Sequence, residues 1–236
     1  MSKKQFRSQA SSGKAAGGFG AFSSSAFGST ESSALSYIQE PPDYTAINDV
    51  NVVVAFKNLS KKDSTTKAKA LEDIQLHIAE PETEVEEGFL EAWVKLYPRL
   101  SIDSARRVRQ LAHVCNGSIC AKSGKRTARH LPRIIGSWLA GCYDSDRAAA
   151  RAAHDALALV FSSAEKVVAL KKTFQGAILA YCKDALLYET LQTLSDERTV
   201  SPADAENTYA RVMATSLAVV NNLLGAMPLE ETAKQE

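Results

Sequence analysis

Cysteine is scarce in this chain and is not arranged for chemistry. The four residues, Cys115, Cys120, Cys142 and Cys182, form no CxxC pair, and no histidine follows at zinc-finger spacing. Neither a metal site nor a disulfide frame is indicated, and the expected state is buried, reduced thiols in a cytosolic protein. Histidine is equally sparse. His77, His113, His130 and His154 stand apart from any nucleophile motif, so each is expected on a surface or helix face, not as ligand or base. The glycines of residues 17–20 have no strand before them and no Lys-Ser/Thr helix after them, which excludes a phosphate loop. No long hydrophobic run exists. The longest uncharged stretch, 212–229, is interrupted by Asn221 and Asn222 and reads as an amphipathic helix, not a membrane span. Residues 1–30 are basic and Ser/Gly-rich without an apolar stretch, so no secretory signal is read. No period-two alternation marks a strand. These absences leave no catalytic constellation, no cofactor and no small-molecule substrate to assign.

What is present is mostly helix. The chain has 236 residues, 45% hydrophobic, with 28 Lys plus Arg against 27 Asp plus Glu, a net charge of +1. Residues 1–45 are Ser, Gly and Ala with a few Phe, a composition that cannot bury enough apolar surface to offset ordering entropy, and they are read as a disordered tail. Phe19, Phe22 and Phe27 break its polarity, and either dock on a partner or ride on a simple tether. From 46 to 228 the text repeats, and 229–236 is a polar end, abrupt for a solenoid, which suits a piece of a longer parent.

The repeat is a helix pair. The pattern predicts helices at about 49–59 with 63–80, 83–98 with 103–121, and 127–142 with 145–161, then less regular segments at 164–190 and 202–225. Asp63 and Asp103 open second helices 40 residues apart, with Lys67 and Lys69 matched by Arg107 and Arg109, and Leu71 by Leu111. A period of about 40 with two helices is the spacing of HEAT and armadillo units. Each Asp is expected to cap its own helix and bridge to a basic side chain of the next unit. The predicted core includes Leu71, Ile74 and Ile78; Val108, Leu111, Ala112, Cys115 and Ile119; Leu131, Ile134, Ile135, Trp138, Leu139 and Cys142; and Trp93. Ser201 and Pro202 start the last helix, whose core stripe reads Tyr209, Val212, Met213, Leu217, Val220 and Leu224. The fold class is therefore an all-α, HEAT/armadillo-like helical-repeat solenoid behind a tail.

Charge is segregated along the chain. Eight acids and no Lys or Arg lie between Glu72 and Glu91, while nine bases and one acid lie between Arg99 and Arg133. Two readings follow. The blocks face each other as ion pairs across adjacent repeats, or the basic residues line an edge that meets RNA phosphates by shape and charge. The candidates for the second are Lys61, Lys62, Lys67, Lys69, Arg106, Arg107, Arg109, Lys122, Lys125, Arg126, Arg129 and Arg133, with Lys61 and Lys62 expected to share an edge with residues 122–126. No aromatics are interleaved for base stacking.

The string Asn58-Leu-Ser-Lys-Lys-Asp63-Ser-Thr-Thr-Lys67-Ala-Lys-Ala-Leu71 resembles the amino-terminal region of the listerin family of RING-type E3 ubiquitin ligases. Ser11-Ser-Gly-Lys-Ala-Ala16, Trp93 with Tyr97-Pro98, Ser101-Ile-Asp103 with Arg106-Arg107-Val108-Arg109, Pro132, Trp138-Leu139, Asp144 and residues 174–184 continue the likeness. The resemblance covers most of residues 8–190 and implies a cytosolic, ribosome-associated role. The family ubiquitinates nascent chains stalled on the large ribosomal subunit. Its amino-terminal domain would dock there beside nuclear export mediator factor, with the tail phenylalanines touching that partner. Zinc would belong to the family's distal RING, which this chain lacks. Without the resemblance, the residues support a HEAT-type protein-binding scaffold with no ribosome role.

Overall fold

The computed structural model describes residues 33–226. Phe19, Phe22 and Phe27, and the polar end 229–236, lie outside these residues. Three helix hairpins follow one another: α1 (Val50–Leu59) with α2 (Ser64–Ala79), α3 (Glu87–Ser101) with α4 (Arg106–Ser123), and α5 (Leu131–Gly141) with α6 (Arg147–Val160). Short acidic side chains cap three of these six helices. Asp49 accepts from the N–H of Asn51 and Val52, Asp63 from Thr66 at 2.6 Å, and Asp146 from Ala148 and Ala149. Each such cap contributes about 1 kcal/mol.

Two boundaries differ from the pattern. Helix α3 runs past Pro98 to Ser101, whose hydroxyl donates to the Pro98 carbonyl at 2.7 Å. Helix α5 begins at Leu131, because α4 ends at Gly124 with φ +55° and a 3-10 turn, Gly124–Arg129, intervenes. A side chain at that backbone conformation would cost about 1–3 kcal/mol, so glycine is required. Pro132 then falls in the first turn of α5, where its missing N–H costs little.

The hairpins stack so that α2, α4 and α6 form one layer, and α1, α3 and α5 the other. Trp93, Trp138, Leu71, Ile74, Val108, Ile119, Ile134 and Ile135 are fully enclosed between the layers, as their helical spacing predicts. The polar ends of the tryptophans are satisfied: Trp93 Nε1 donates to Asn116 Oδ1 at 3.0 Å and Trp138 Nε1 to the Ala153 carbonyl at 3.2 Å.

Beyond residue 160 the regular pairing ends. The stretch expected as one segment, 164–190, is two helices, α7 (Ala164–Thr173) and α8 (Gln175–Leu187), parted at Phe174, and a short turn α9 (Leu191–Leu194) follows. Helix α8 packs on α5 at Gly136, where a built Cβ would lie 2.3 Å from the Cβ of Tyr181. The long α10 (Pro202–Ala226) packs across α5, α8 and α9. Its buried side is Ala205, Thr208, Val212, Thr215, Ser216, Val219 and Leu223, while the predicted core residues Leu217 and Leu224 are exposed. The helix is rotated relative to its most hydrophobic stripe because three hydroxyl residues take interior places.

Part of the stretch assigned to the tail is packed. Leu35 is 1% exposed and joins Ile102, Ala185, Leu194 and Val212 in a second, smaller core. The Tyr37 N–H donates to the Thr193 carbonyl at 2.9 Å, and Tyr44 stacks on Phe56.

Candidate functional site

The charged residues sort into three groups by what they touch. The first group is interior. Arg109 is 4% exposed, and its Nε and Nη2 donate to the two Asp144 oxygens at 2.7 and 3.0 Å, while Nη1 reaches the Asp103 carbonyl at 2.9 Å. Lys67 pairs with the largely buried Asp103. Lys122 Nζ donates to the carbonyls of Ile78, at 2.8 Å, and Glu80, which caps the C-terminal end of α2. Aspartates do bridge adjacent units, but in the direction opposite to the one expected, and Asp63 caps α2 without such a bridge among the described residues. Asp103 and Asp144 each take a cation from the preceding unit, and Lys67, not Lys69, is the first of them. Asp103 also lies ahead of its helix, accepting from the Ala105 N–H at 2.9 Å.

The second group reaches back one unit toward the acidic block. Arg107 meets Glu72 at 2.8 Å, Arg126 meets Glu84 at 3.6 Å, Arg129 meets Glu87, and Arg133 meets Glu91 at 2.7 Å. These pairs are partly exposed and each contributes about 0–1 kcal/mol. His130, 3% exposed, lies among them with Nε2 2.9 Å from Glu87. Burial would raise the Glu87 carboxyl, but the Arg129 and His130 contacts hold it below its ordinary value. Glu87, Glu91 and His130 offer ligand atoms within 4.8 Å of one another, yet both carboxylates are already engaged by Arg129 and Arg133. The arrangement is an ionic clasp between α3 and the start of α5.

The third group points to solvent. Lys61, Lys69, Arg106 and Lys125 are exposed and have no ion pair among the described residues, and Lys62 is 3.9 Å from Asp196. They do not share one edge. The turns within hairpins, carrying Lys61, Lys62, Asp103 and Asp144, lie at one edge, as the Lys67–Asp103 and Arg109–Asp144 pairs show. Residues 122–126 lie at the other, beside the end of α2 and Glu84. The 18 residues of α4 separate the edges by roughly 27 Å. The hairpin-turn edge gains one residue that the block count missed. Arg147 is exposed at the first position of α6, three residues after Asp144 as Arg106 is three after Asp103. That shared offset is the signal by which it was legible.

Two histidines differ from expectation. His113, like His130, is buried. It is fully enclosed, with Nδ1 2.9 Å from the Tyr97 hydroxyl and its ring against Gly141. Burial pulls it down to about 4, so it is neutral near pH 7. The four cysteines are free and buried. Burial raises all four thiols, Cys120 and Cys142 to about 12 and Cys182 to about 11, which leaves them protonated and inert. No described helix is long and apolar enough to cross a membrane.

Comparison with known proteins places this architecture. Residues 45–236 match the family model of the N-terminal domain of E3 ubiquitin-protein ligase listerin. The chain is 42% identical over 212 residues to E3 ubiquitin-protein ligase listerin of Neurospora crassa, covering 90% of this chain and 13% of that protein. It is 35% identical over 205 residues to the Schizosaccharomyces pombe listerin and 33% over 208 residues to that of Gallus gallus, covering 86% and 87% of this chain and 12% of each relative. The chain thus spans about an eighth of the length of these relatives. It belongs to the listerin family of E3 ubiquitin-protein ligases, as a member of that family's N-terminal domain.

Proposed function

We propose that this domain is the docking module of a listerin-type RING E3 ligase. It binds the large ribosomal subunit carrying stalled peptidyl-tRNA, beside nuclear export mediator factor, in the cytosol. A RING elsewhere in the ligase then ubiquitinates the stalled nascent chain for degradation. Ubiquitin transfer is not assigned to any residue described here, since the polar clusters are ion pairs and caps already committed to the fold.

The observation that carries the ribosomal reading is a set of exposed cations toward the hairpin-turn edge that have no ion pair among the described residues. Arg106 and Arg147 project to solvent at the first positions of α4 and α6, and Lys69 does so from the second turn of α2, while neighbouring bases are neutralised inside the repeats. Cations spaced over the first turns of stacked helices suit phosphates on a structured RNA, with contact by shape and charge instead of base readout. Arg109, Lys67 and Lys122 are excluded from that surface by their interior partners.

The test is co-sedimentation with large subunits bearing stalled peptidyl-tRNA, with and without nuclear export mediator factor, at low and moderate salt. The triple variant Lys69→Glu, Arg106→Glu, Arg147→Glu should lose salt-sensitive binding while keeping wild-type helicity. Undiminished binding by that variant overturns the assignment of this edge.

A further inference from the structure

A groove of about 530 Å³ lies at the hairpin-turn end of the first two hairpins, and Lys69, Arg106 and Arg147 are not among its lining residues. Its walls are residues 36–41, the α1–α2 turn and the loop before α10, and its floor includes Leu96, Leu100 and Ile102. Arg99, from the last turn of α3, lines it, and the Arg99 Nη1 atom is sealed from solvent without a hydrogen bond among the described residues. Its acidic neighbours Asp103 and Glu189 act on it through space, but their hydrogen bonds go to other partners. The Asp103 carboxylate takes Lys67 and the Ala105 N–H, and Glu189 takes the Thr193 hydroxyl through Oε2, its Oε1 being buried and unbonded. Unpaired buried donors are costly, more so when charged, and a planar guanidinium is matched best by a carboxylate or phosphate.

The rest of the lining chooses between those anions. Glu40, Asp103, Asp196 and Asp204 line the groove beside Lys61, Lys62 and Lys67, with Lys67 on Asp103 and Lys62 3.9 Å from Asp196. This balanced lining gives no continuous positive track to a strand with a phosphate at every residue. It tolerates a peptide that carries one acid among apolar residues, which the leucine and isoleucine floor would bury. Lys61, exposed at the rim without an ion pair among the described residues, attracts the same charge.

We propose that this groove binds an extended segment of a partner protein, whose single acidic side chain reaches Arg99 and whose apolar neighbours rest on Leu96, Leu100 and Ile102. The site is separate from the solvent-facing cations of α2, α4 and α6, and the inference stands without the ribosomal reading.

The test is selection of random peptides of about a dozen residues, displayed on phage, against the 236-residue chain, followed by affinity measurement on synthetic copies. The expected result is a shared Asp or Glu flanked by apolar residues. Its replacement by Asn or Gln in the peptide should weaken binding to the wild-type chain about tenfold to a hundredfold. Arg99→Met should do the same with helicity retained, and Lys61→Glu should weaken binding about twofold to fivefold. The peptide substitution keeps the test decisive if Arg99→Met does not fold. No enriched peptide, a consensus without an acid, indifference to loss of that acid, or stronger displacement by a single-stranded RNA oligonucleotide than by unlabelled peptide each overturns the proposal.

Discussion

Arg109 of one repeat grips Asp144 of the next through two parallel hydrogen bonds, 2.7 and 3.0 Å, with both side chains almost wholly buried. A pair so enclosed is costly to break from one side, because the survivor is left charged and unpaired. Arg109→Met should lower unfolding stability by about 3–5 kcal/mol in urea titration. The double variant Arg109→Met, Asp144→Leu should recover most of that loss. A double variant as unstable as the single one would show that the pair contributes more than mutual neutralisation.

His113 gives the domain a pH dependence of defined sign. Its folded value is about 4, below the ordinary 6.5, because burial disfavours the charged ring. As pH falls below about 6.5, the unfolded chain takes up a proton that the folded chain refuses until about 4. Stability is therefore full above pH 6.5 and declines toward pH 4, by about 3 kcal/mol in total. Urea titrations at pH 7 and pH 5 should show the drop, and His113→Phe should remove most of it.

The thiols should be silent in the folded domain. All four are buried, and burial holds them protonated. A maleimide reagent should label none of them within minutes under native conditions and all of them in urea, read by intact mass. Rapid native labelling of Cys142 or Cys182 would show that α5 or α8 opens locally.

Gly136 is where α5 and α8 touch most closely, and a methyl group there meets the Tyr181 Cβ at 2.3 Å, with no flexible chain end to give way. Gly136→Ala should cost about 1–3 kcal/mol through displacement of α8. Gly176→Ala, in open space on α8, serves as the control and should be near neutral or slightly stabilising. Thermal unfolding of the two variants checks both.

Much of the scaffold could be read from residues alone because it is local. Asp63 capping α2, the Leu71–Ile74–Ile78 stripe, the α4 and α5 cores and the roughly 40-residue period all depend on neighbours within a few turns. The listerin likeness, carried by residues 58–71 and the motifs after it, was also visible. What was hidden depends on distant partners. Lys67 and Lys69 are chemically alike, and only the stacking of α2 on α4 decides that Lys67 meets Asp103. The α10 face misled because Thr208, Thr215 and Ser216 are inside while Leu217 is outside. His113 looks like a solvated helix residue until Tyr97 supplies its bond. Of the candidate cations, the fold takes up Lys67, Arg109 and Lys122 and pairs five more with acids, an outcome that charge counting along the chain cannot foresee.

Leu35 has a mechanical consequence. In an open solenoid each unit touches its neighbours alone, so the array can fray from either end, one hairpin at a time. Here the residue that precedes all the hairpins is held by Leu194 and Val212, which follow all of them. The contact works as a clasp on a belt. Tension applied at the amino side loads this second core before it reaches α1, so the clasp must slip before the first hairpin peels, and the stack gives way as a closed unit and not as a chain of separable links.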